Sequence, residues 1–348
     1  MLLTTLPGTG RSRGLEFGQR HARGIADAAT ALKTQLATSG HAPASVGRRL
    51  AVSPLTRVAA DLTPDLWAEL TTIAIGSHVD LTDVLMLNFL DEVWAMTRSS
   101  GCSAVARTIE GRPGIPPIPA TTEIGQTMDL PPWSFGRFLV LRVAPEDAPV
   151  SLLMSYPGMI GLCGANDSGL GVAVTALPHV DSSEEGLGVA FIVRHLLTLS
   201  TLQQAEEFLT TVPHAVGQSY TVAAGDGIAT FEAEPSRVVR AGDPGDPAVV
   251  HTNHALSTHA LSTDRSAADR PPSESSRARL DALLRGLEQH QSLEALLTGD
   301  VVVDGERWGD PHVTFGAFRA VGSEHVVRFI DGADLKAGRH EWSRFSFG

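Results

Sequence analysis

Cysteine preceded by glycine, in 99-SSGCSA-104, is the residue whose surroundings most suggest chemistry. With no side chain at Gly101, the thiol of Cys102 has little steric cover on its N-terminal side and can reach the carbonyl of its own Gly101 peptide. Attack there is an N-to-S acyl shift; water then cleaves the thioester and leaves Cys102 as a new N-terminus. An α-amine has an ordinary pKa of about 7.7 to 8.0, so it can act as general base for its own side chain, as in N-terminal threonine nucleophiles. The other reading of Cys102 is a buried structural thiol, because free cysteine is among the most buried residue types. Cys163, in the turn-rich stretch 161-GLCGAND-167, reads as a packed thiol. His251, His254 and His259 are not read as metal ligands, because strand alternation would point His251 and His254 apart. His195 reads as a packed helix residue. No metal and no cofactor is expected.

These residues sit at the boundary of two textures. Before Cys102 the chain reads as helical. Leu15, Ile25, Ala28, Leu32 and Leu36 share helical spacing, with Gly40 as a stop. Thr63-Pro64 suits an N-cap followed by the first helical position, and a third helix is expected from Leu81 to Met96. After Cys102, short β-like runs alternate with Gly and Pro: Arg137 to Val143, Leu170 to Leu177, Ser219 to Ala224, Ile228 to Ala233, Val249 to Leu256, Thr314 to Ala320 and Glu324 to Phe329. The last follows a Gly322-Ser323 hairpin turn. A helix over Leu202 to Thr210 opens on a capping box, Thr201 with Gln204. Another is expected from Arg277 to Leu297, ending at Gly299. Residues 257 to 277 read as an exposed polar loop, and the proline-stiffened stretch 111 to 123 as a loop beside the site or a plain surface loop. Helices first and strands after favour an α+β layered domain.

Composition narrows the class. Hydrophobic residues make up 43% and charged residues 19%, ordinary globular values. With 39 acidic against 27 basic residues the net charge is −12, so neither nucleic acid nor an anionic membrane is an expected partner. Apolar runs are broken by Pro and Gly before they reach the roughly 18 residues of a span. Residues 1–14 have no signal-peptide pattern, and a cytoplasmic protein is expected. Two cysteines cannot form a disulfide framework.

Four motifs in order, 101-GCS, 125-GQTMD, 164-GANDSGLGVAV and 251-HTNH, resemble the acyl-coenzyme A:6-aminopenicillanic acid acyltransferase family. This is a family of cysteine N-terminal-nucleophile hydrolases that includes the penicillin-forming acyltransferase and β-alanyl amine hydrolases. The segments 13-RGLEFGQRHARGI and 193-VRHLLTLSTLQQAEEFL resemble its opening and internal helices. The resemblance implies a four-layer αββα sandwich of two stacked antiparallel sheets, made as one domain over 1–348. It implies cleavage between Gly101 and Cys102 into a mostly helical piece, 1–101, and a piece carrying the nucleophile, 102–348, which stay associated.

By the same resemblance Cys102 is the nucleophile, Asp129 the carboxylate near the freed α-amine, and Asn253 the amide of the oxyanion hole, where one donor is worth about 10² to 10³ in rate. Gln126 fits the pattern with a less defined role. The chain departs from the family in 232-EAEPS, where Glu234 replaces the serine of the penicillin-forming enzyme and changes the polarity expected at a substrate-binding position. The family's C-terminal arginine has two candidates, Arg319 and Arg328, and either can be a strand surface residue. The expected function is hydrolysis of a small N-acyl amide or peptide-like natural product through an acyl-enzyme thioester. The alternatives are N-acyl transfer from a thioester to an amine, and a non-catalytic binding member that is never cut.

Overall fold

The computed structural model describes residues 1–94, 101–111, 120–178, 180–257, 273–303 and 312–348. Most of the loops expected over 111–123 and 257–277, namely 112–119 and 258–272 with His259, lies outside these residues; at their described ends Thr121–Glu123 is strand and Glu274–Arg277 is helix. Before Cys102 the helices are α1 (Gly10–Thr38), α2 (Pro43–Val52), α3 (Pro54–Leu62), α4 (Pro64–Ser77), α5 (Leu81–Asn88) and α6 (Leu90–Trp94). Thr9 caps α1 by accepting from the Ser12 N–H. Pro64 begins α4 as expected, but Thr63 makes no cap bond and donates instead to the Ala59 carbonyl at 2.8 Å. Contacts that advance together along the two helices, Gly10 at Asp65, Gly14 at Glu69 and Gly18 at Ile73, make α1 and α4 a parallel pair, and it can be this close because glycine has no Cβ to collide with the Glu69 backbone. Buried charges lock it. Glu69, fully buried, takes Arg13 Nε at 2.7 Å and Arg194 Nη1 at 2.7 Å, so the negative charge is compensated where water cannot reach it.

The remaining elements form two sheets. Strands β1 (Leu2–Pro7), β4 (Leu139–Ala144), β5 (Ser151–Ser155), β6 (Cys163–Asn166), β7 (Gly171–Ala176), β8 (Gln218–Ala224), β9 (Gly227–Glu234) and β10 (Arg237–Ala241) lie side by side in that order. The second sheet runs β11 (Ala248–His251), β2 (Gly101–Ile109), β3 (Thr121–Leu130), β12 (Val313–Val321), β13 (Val326–Asp331), β14 (Ser343–Ser346). Alternation on β2 sends Cys102, Ala104 and Ala106 into the core between the sheets and Val105 into a separate core outside. That outer core is covered by α9 (Glu274–Glu288), α10 (Leu293–Leu297) and α11 (Asp300–Val303). Helices α7 (Val189–Leu196) and α8 (Leu202–Thr211) serve the other side, α8 lying against β8 and β9. The layering is therefore helix, sheet, sheet, helix, as the resemblance implied.

Several expectations change. The first hundred residues are not all helical, because Leu2–Pro7 pairs with β4, and in parallel, so the larger sheet is mixed rather than antiparallel. The helix expected over Leu81 to Met96 breaks at Phe89; just before it the Asn88 side chain bonds the Gly158 carbonyl at 2.7 Å as well as the Val84 carbonyl of its own helix, and accepts from the Ile160 N–H. The helix expected over Arg277 to Leu297 begins earlier and ends at Glu288; His290, at φ 56°, turns the chain, and Ser292 caps α10. The stretch 193 to 209 likewise divides into α7 and α8, because Thr201 and Gln204 form the capping box that starts α8. The Val249 to Leu256 run is strand only to His251.

Candidate active site

Register explains why distant residues meet at Cys102. Strand β2 pairs on one edge with β3, setting Gly101 opposite Asp129 and Cys102 opposite Met128. On its other edge it pairs with β11, setting His251 opposite Ala104. The chain leaving β11 antiparallel to β2 therefore passes Cys102 two residues later and brings Asn253 there. That turn is held in place from the larger sheet. Buried Glu232 bonds His251 Nε2 at 2.9 Å and accepts from the N–H groups of Leu256 and Ser257. Burial alone would raise its pKa. The bond and charge of His251, the Leu256 N–H and the Ser257 hydroxyl outweigh burial and hold it below the usual carboxylate range.

Asn253 bonds the backbone of Cys102. The Cys102 N–H donates to Asn253 Oδ1 at 2.7 Å, Arg279 Nη2 donates to the same oxygen at 2.9 Å, and Asn253 Nδ2 donates to the Ala176 carbonyl at 3.1 Å. Two donors converging on one atom identify it as the amide oxygen. Arg279 also donates from Nη1 to the Cys102 carbonyl and to Ser103 Oγ. Its side chain is buried, and it projects from α9 beside Ser275, Ser276 and Leu283 on the face that covers β2. Sequence reasoning missed this arginine. A charged residue on the apolar stripe of an amphipathic helix, with Leu283 and Gly286 at i+4 and i+7, was the available signal. Arg319 and Arg328 are not at the site. Arg319 pairs with Glu123 and Glu294, and Arg328 with Glu324 and Glu294.

Asp129 lies against the peptide that joins Gly101 to Cys102. A bulge in β12 between Thr314 and Gly316 aims Thr314 Oγ1 at Asp129 Oδ1, 2.8 Å away. The Cys102 thiol is buried, and its pKa is pushed up to about 12, first by burial and then by the Asp129 charge, with the Asp129 N–H and Arg279 opposing. A thiol in that state is protonated at neutral pH and needs a base. It lines a cleft of about 180 Å³ whose walls include Leu90, Met128, Met159, Leu162, Val174 and Val216.

Other expected positions fall elsewhere. Gln126 is fully buried and ties the two sheets together, its Oε1 accepting from the Val174 N–H at 2.7 Å and its Nε2 donating to the Val174 carbonyl. Glu234 ends β9, accepts from Ser236 Oγ at 3.1 Å and does not line the cleft. Cys163 is fully buried in β6. His195 stacks on Phe208 with ring centroids 4.0 Å apart. His251 and His254 do point to different partners, Glu232 and Ser276, although His254 lies beyond the strand. Among the described residues no group of three or more His, Cys, Asp and Glu side chains could hold a metal ion, and no helix is long and apolar enough to cross a membrane.

Comparison with known proteins bears on this arrangement. No curated protein matches the sequence. Among the solved structures that resemble it, two illustrate how low the identity is. The Caenorhabditis elegans ortholog of N-acylethanolamine-hydrolyzing acid amidase is 13% identical, over 63% of this chain and 91% of that one, with a TM-score of 0.41. Penicillin V acylase from Agrobacterium tumefaciens is 14% identical, over 65% and 82%, with a TM-score of 0.40. A family model described as acyl-coenzyme A:6-aminopenicillanic acid acyl-transferase matches residues 120–302, just over half of the chain. Asp129, Asn253 and Arg279 fall inside that match, and Cys102 lies upstream of it. The chain belongs to the acyl-coenzyme A:6-aminopenicillanic acid acyl-transferase family, whose members are N-terminal-nucleophile enzymes that transfer acyl groups or hydrolyse amides.

Proposed function

We propose that the chain is a self-processing cysteine amidohydrolase acting on a small N-acyl amide or peptide-like compound. One observation carries the reading. Cys102 presents its thiol to a cleft while its own nitrogen is already held 2.7 Å from Asn253 Oδ1. In processing, Cys102 Sγ bonds to the Gly101 carbonyl carbon and the Gly101–Cys102 C–N bond breaks, its nitrogen taking the thiol proton. Water then hydrolyses the thioester, giving 1–101 with a new carboxyl group and 102–348 with a new amine. That amine inherits the bond to Asn253. The neighbouring Arg279 cation disfavours its protonated form, while the Asp129 carboxylate orients it and favours that form.

In turnover the amine takes the thiol proton and Sγ attacks the substrate carbonyl. Its oxygen becomes an oxyanion, stabilised by the second N–H of Asn253 Nδ2 and a backbone N–H. The leaving amine takes the proton back and departs, leaving a thioester on Cys102, which water attacks with the α-amine again as base. N-acyl transfer is the second reading, favoured by the family description. An amine then replaces water in the last step. The chain is one domain of 1–348 whose two pieces stay associated, because neither buries its apolar faces alone.

The test is an intact mass spectrum under denaturing conditions of wild type beside Cys102→Ala. The expected result is two masses, for 1–101 and 102–348, in wild type only. A single full-length mass in both samples overturns the enzymatic reading in favour of a non-catalytic binding member. Release of free acid or of a new amide, with an amine added, then separates hydrolysis from transfer.

A further inference from the structure

Gln218 opens β8 with its backbone fixed in the sheet and its side chain unused. Its neighbours across the ladder are alanines, Ala176 on β7 and Ala233 on β9. Residues paired in this way share a face of the sheet, so neither flank offers the amide a partner. Just before it, a Cβ at Gly217 would lie 2.4 Å from Val180 Cβ. The segment carrying Val180, Asp181 and Ser182 therefore packs down on the start of the strand, and all three residues line the Cys102 cleft together with Gln218.

The Gln218 side chain is only 2% exposed, and its Oε1 has no hydrogen-bond partner among the described residues. Glu92, Trp133, His214, Ser219 and Tyr220 also carry a buried polar atom without a partner, but of these six residues Gln218 alone lines the cleft. Buried amides are nearly always satisfied, because desolvation without a new bond costs free energy. A group arriving with the ligand removes that cost.

The other buried glutamine of the site shows what such an amide takes. Gln126 uses both ends on a single residue, Oε1 accepting from the Val174 N–H at 2.7 Å and Nε2 donating to the Val174 carbonyl. A ligand that suits Gln218 in the same way presents an N–H and a C=O together. A hydrocarbon supplies neither, a carboxylate has no N–H and an ammonium has no acceptor. A primary carboxamide carries both on one carbon, and being neutral it enters without the cost of burying a charge. It is matched whichever way round Gln218 turns its amide, a torsion with only a broad two-fold preference. Val174, Val189 and Val216 supply apolar wall for the chain that connects such a group to the reacting carbonyl.

We propose that the substrate carries, besides the amide that is cut, a terminal carboxamide that pairs with Gln218. The proposal rests on the amidohydrolase reading and gives it a substrate class and a residue that determines specificity.

The experiment presents the processed enzyme with two matched pairs of anilides. In the first, 4-carbamoylbutanoyl anilide is set against 5-methylhexanoyl anilide, in which an isopropyl group replaces the carboxamide. In the second the same exchange is made on the leaving amine, with N-[4-(carbamoylmethyl)phenyl]butanamide against N-(4-isobutylphenyl)butanamide. In at least one pair the carboxamide should exceed its apolar counterpart in kcat/KM by about tenfold or more, since a site built to hydrogen-bond a group rejects the analogue that lacks it. Gln218→Leu removes donor and acceptor together and should bring that ratio to one or below, chiefly by raising KM for the carboxamide. Gln218→Glu keeps the shape and the acceptor, loses the donors and should lower the ratio severalfold. Processing to 1–101 and 102–348 verifies that each variant folds, and either variant alone suffices. Equal or faster turnover of the apolar member in both pairs, or a carboxamide preference that a folded variant leaves unchanged, overturns the proposal while leaving the hydrolase reading intact. Turnover of none of the four, with Cys102 demonstrably N-terminal, overturns the proposal and the hydrolase reading together.

Discussion

Gly101 stands so close to Asp129 across the β2–β3 pair that a Cβ at position 101 would lie 2.7 Å from Asp129 Oδ2 and 3.1 Å from its Cβ. Glycine is required here for space rather than for an unusual backbone angle. The carboxylate packs directly against the peptide that the proposed processing cuts. Gly101→Ala forces one of the two apart, at a cost of about 1 to 3 kcal/mol for overpacking, and each 1.36 kcal/mol reaching the transition state is tenfold in rate. Processing should slow by about tenfold or more in a mass-spectrometric time course. An unchanged rate would mean that the Asp129 contact has no part in the cut.

The bond from the Cys102 N–H to Asn253 ties the amide to the proposed nucleophile, and its oxygen is fixed by Arg279. Asn253→Ala should reduce turnover by about 10² to 10³ with the fold retained by circular dichroism. Arg279→Lys keeps the charge and loses the planar fork that serves Asn253 Oδ1, the Cys102 carbonyl and Ser103 Oγ together. Its activity should fall by about tenfold or more. Wild-type turnover in Asn253→Ala would remove that residue from the site.

Glu92 gives the fold a pH dependence. Burial first, and then the charge of neighbouring Asp91, push its pKa up to about 8. One oxygen accepts from the Val189 N–H at 2.9 Å and the other has no partner among the described residues. A carboxyl whose pKa is raised on folding contributes stability that is complete below its unfolded value and disappears as pH rises through the folded one. The melting temperature should therefore fall between about pH 5 and pH 8.5. Glu92→Gln, which keeps an oxygen for Val189, should flatten that slope; an equally steep slope in the variant would exclude Glu92 as its source.

Glu232 works in the opposite direction. Burial raises its pKa and the His251, Leu256 and Ser257 donors more than reverse this, so its contribution is present above the unfolded carboxylate value and is lost as pH falls through the lower folded one. Glu232→Gln should destabilise the protein by about 1 to 3 kcal/mol at pH 7, the cost of leaving buried donors poorly matched. The gap between variant and wild type in denaturant melts should narrow below about pH 4. A gap independent of pH would assign the loss to packing alone.

Local signals were legible wherever a residue's neighbours in sequence decide its conformation. The Thr201–Gln204 capping box and the turn at Gly322-Ser323 formed where the sequence placed them, since caps and tight turns are settled within four residues. The processing proposed at Gly101 and Cys102 could be read from the sequence for the same reason: it needs only a bare glycine before a thiol. What depends on two segments meeting was not legible. Pairing of β1 with β4, the break at Asn88 and the division of the helix after Arg277 each follow from partners far along the chain. So does the site. Asn253 reaches Cys102 because β11 pairs with β2 in one register, and Arg279 because α9 covers those two strands with one particular face. Sequence determined which side chains could do chemistry; packing of helix on sheet and sheet on sheet decided which of them share a cleft, because burial and register are properties of surfaces that exist only after folding.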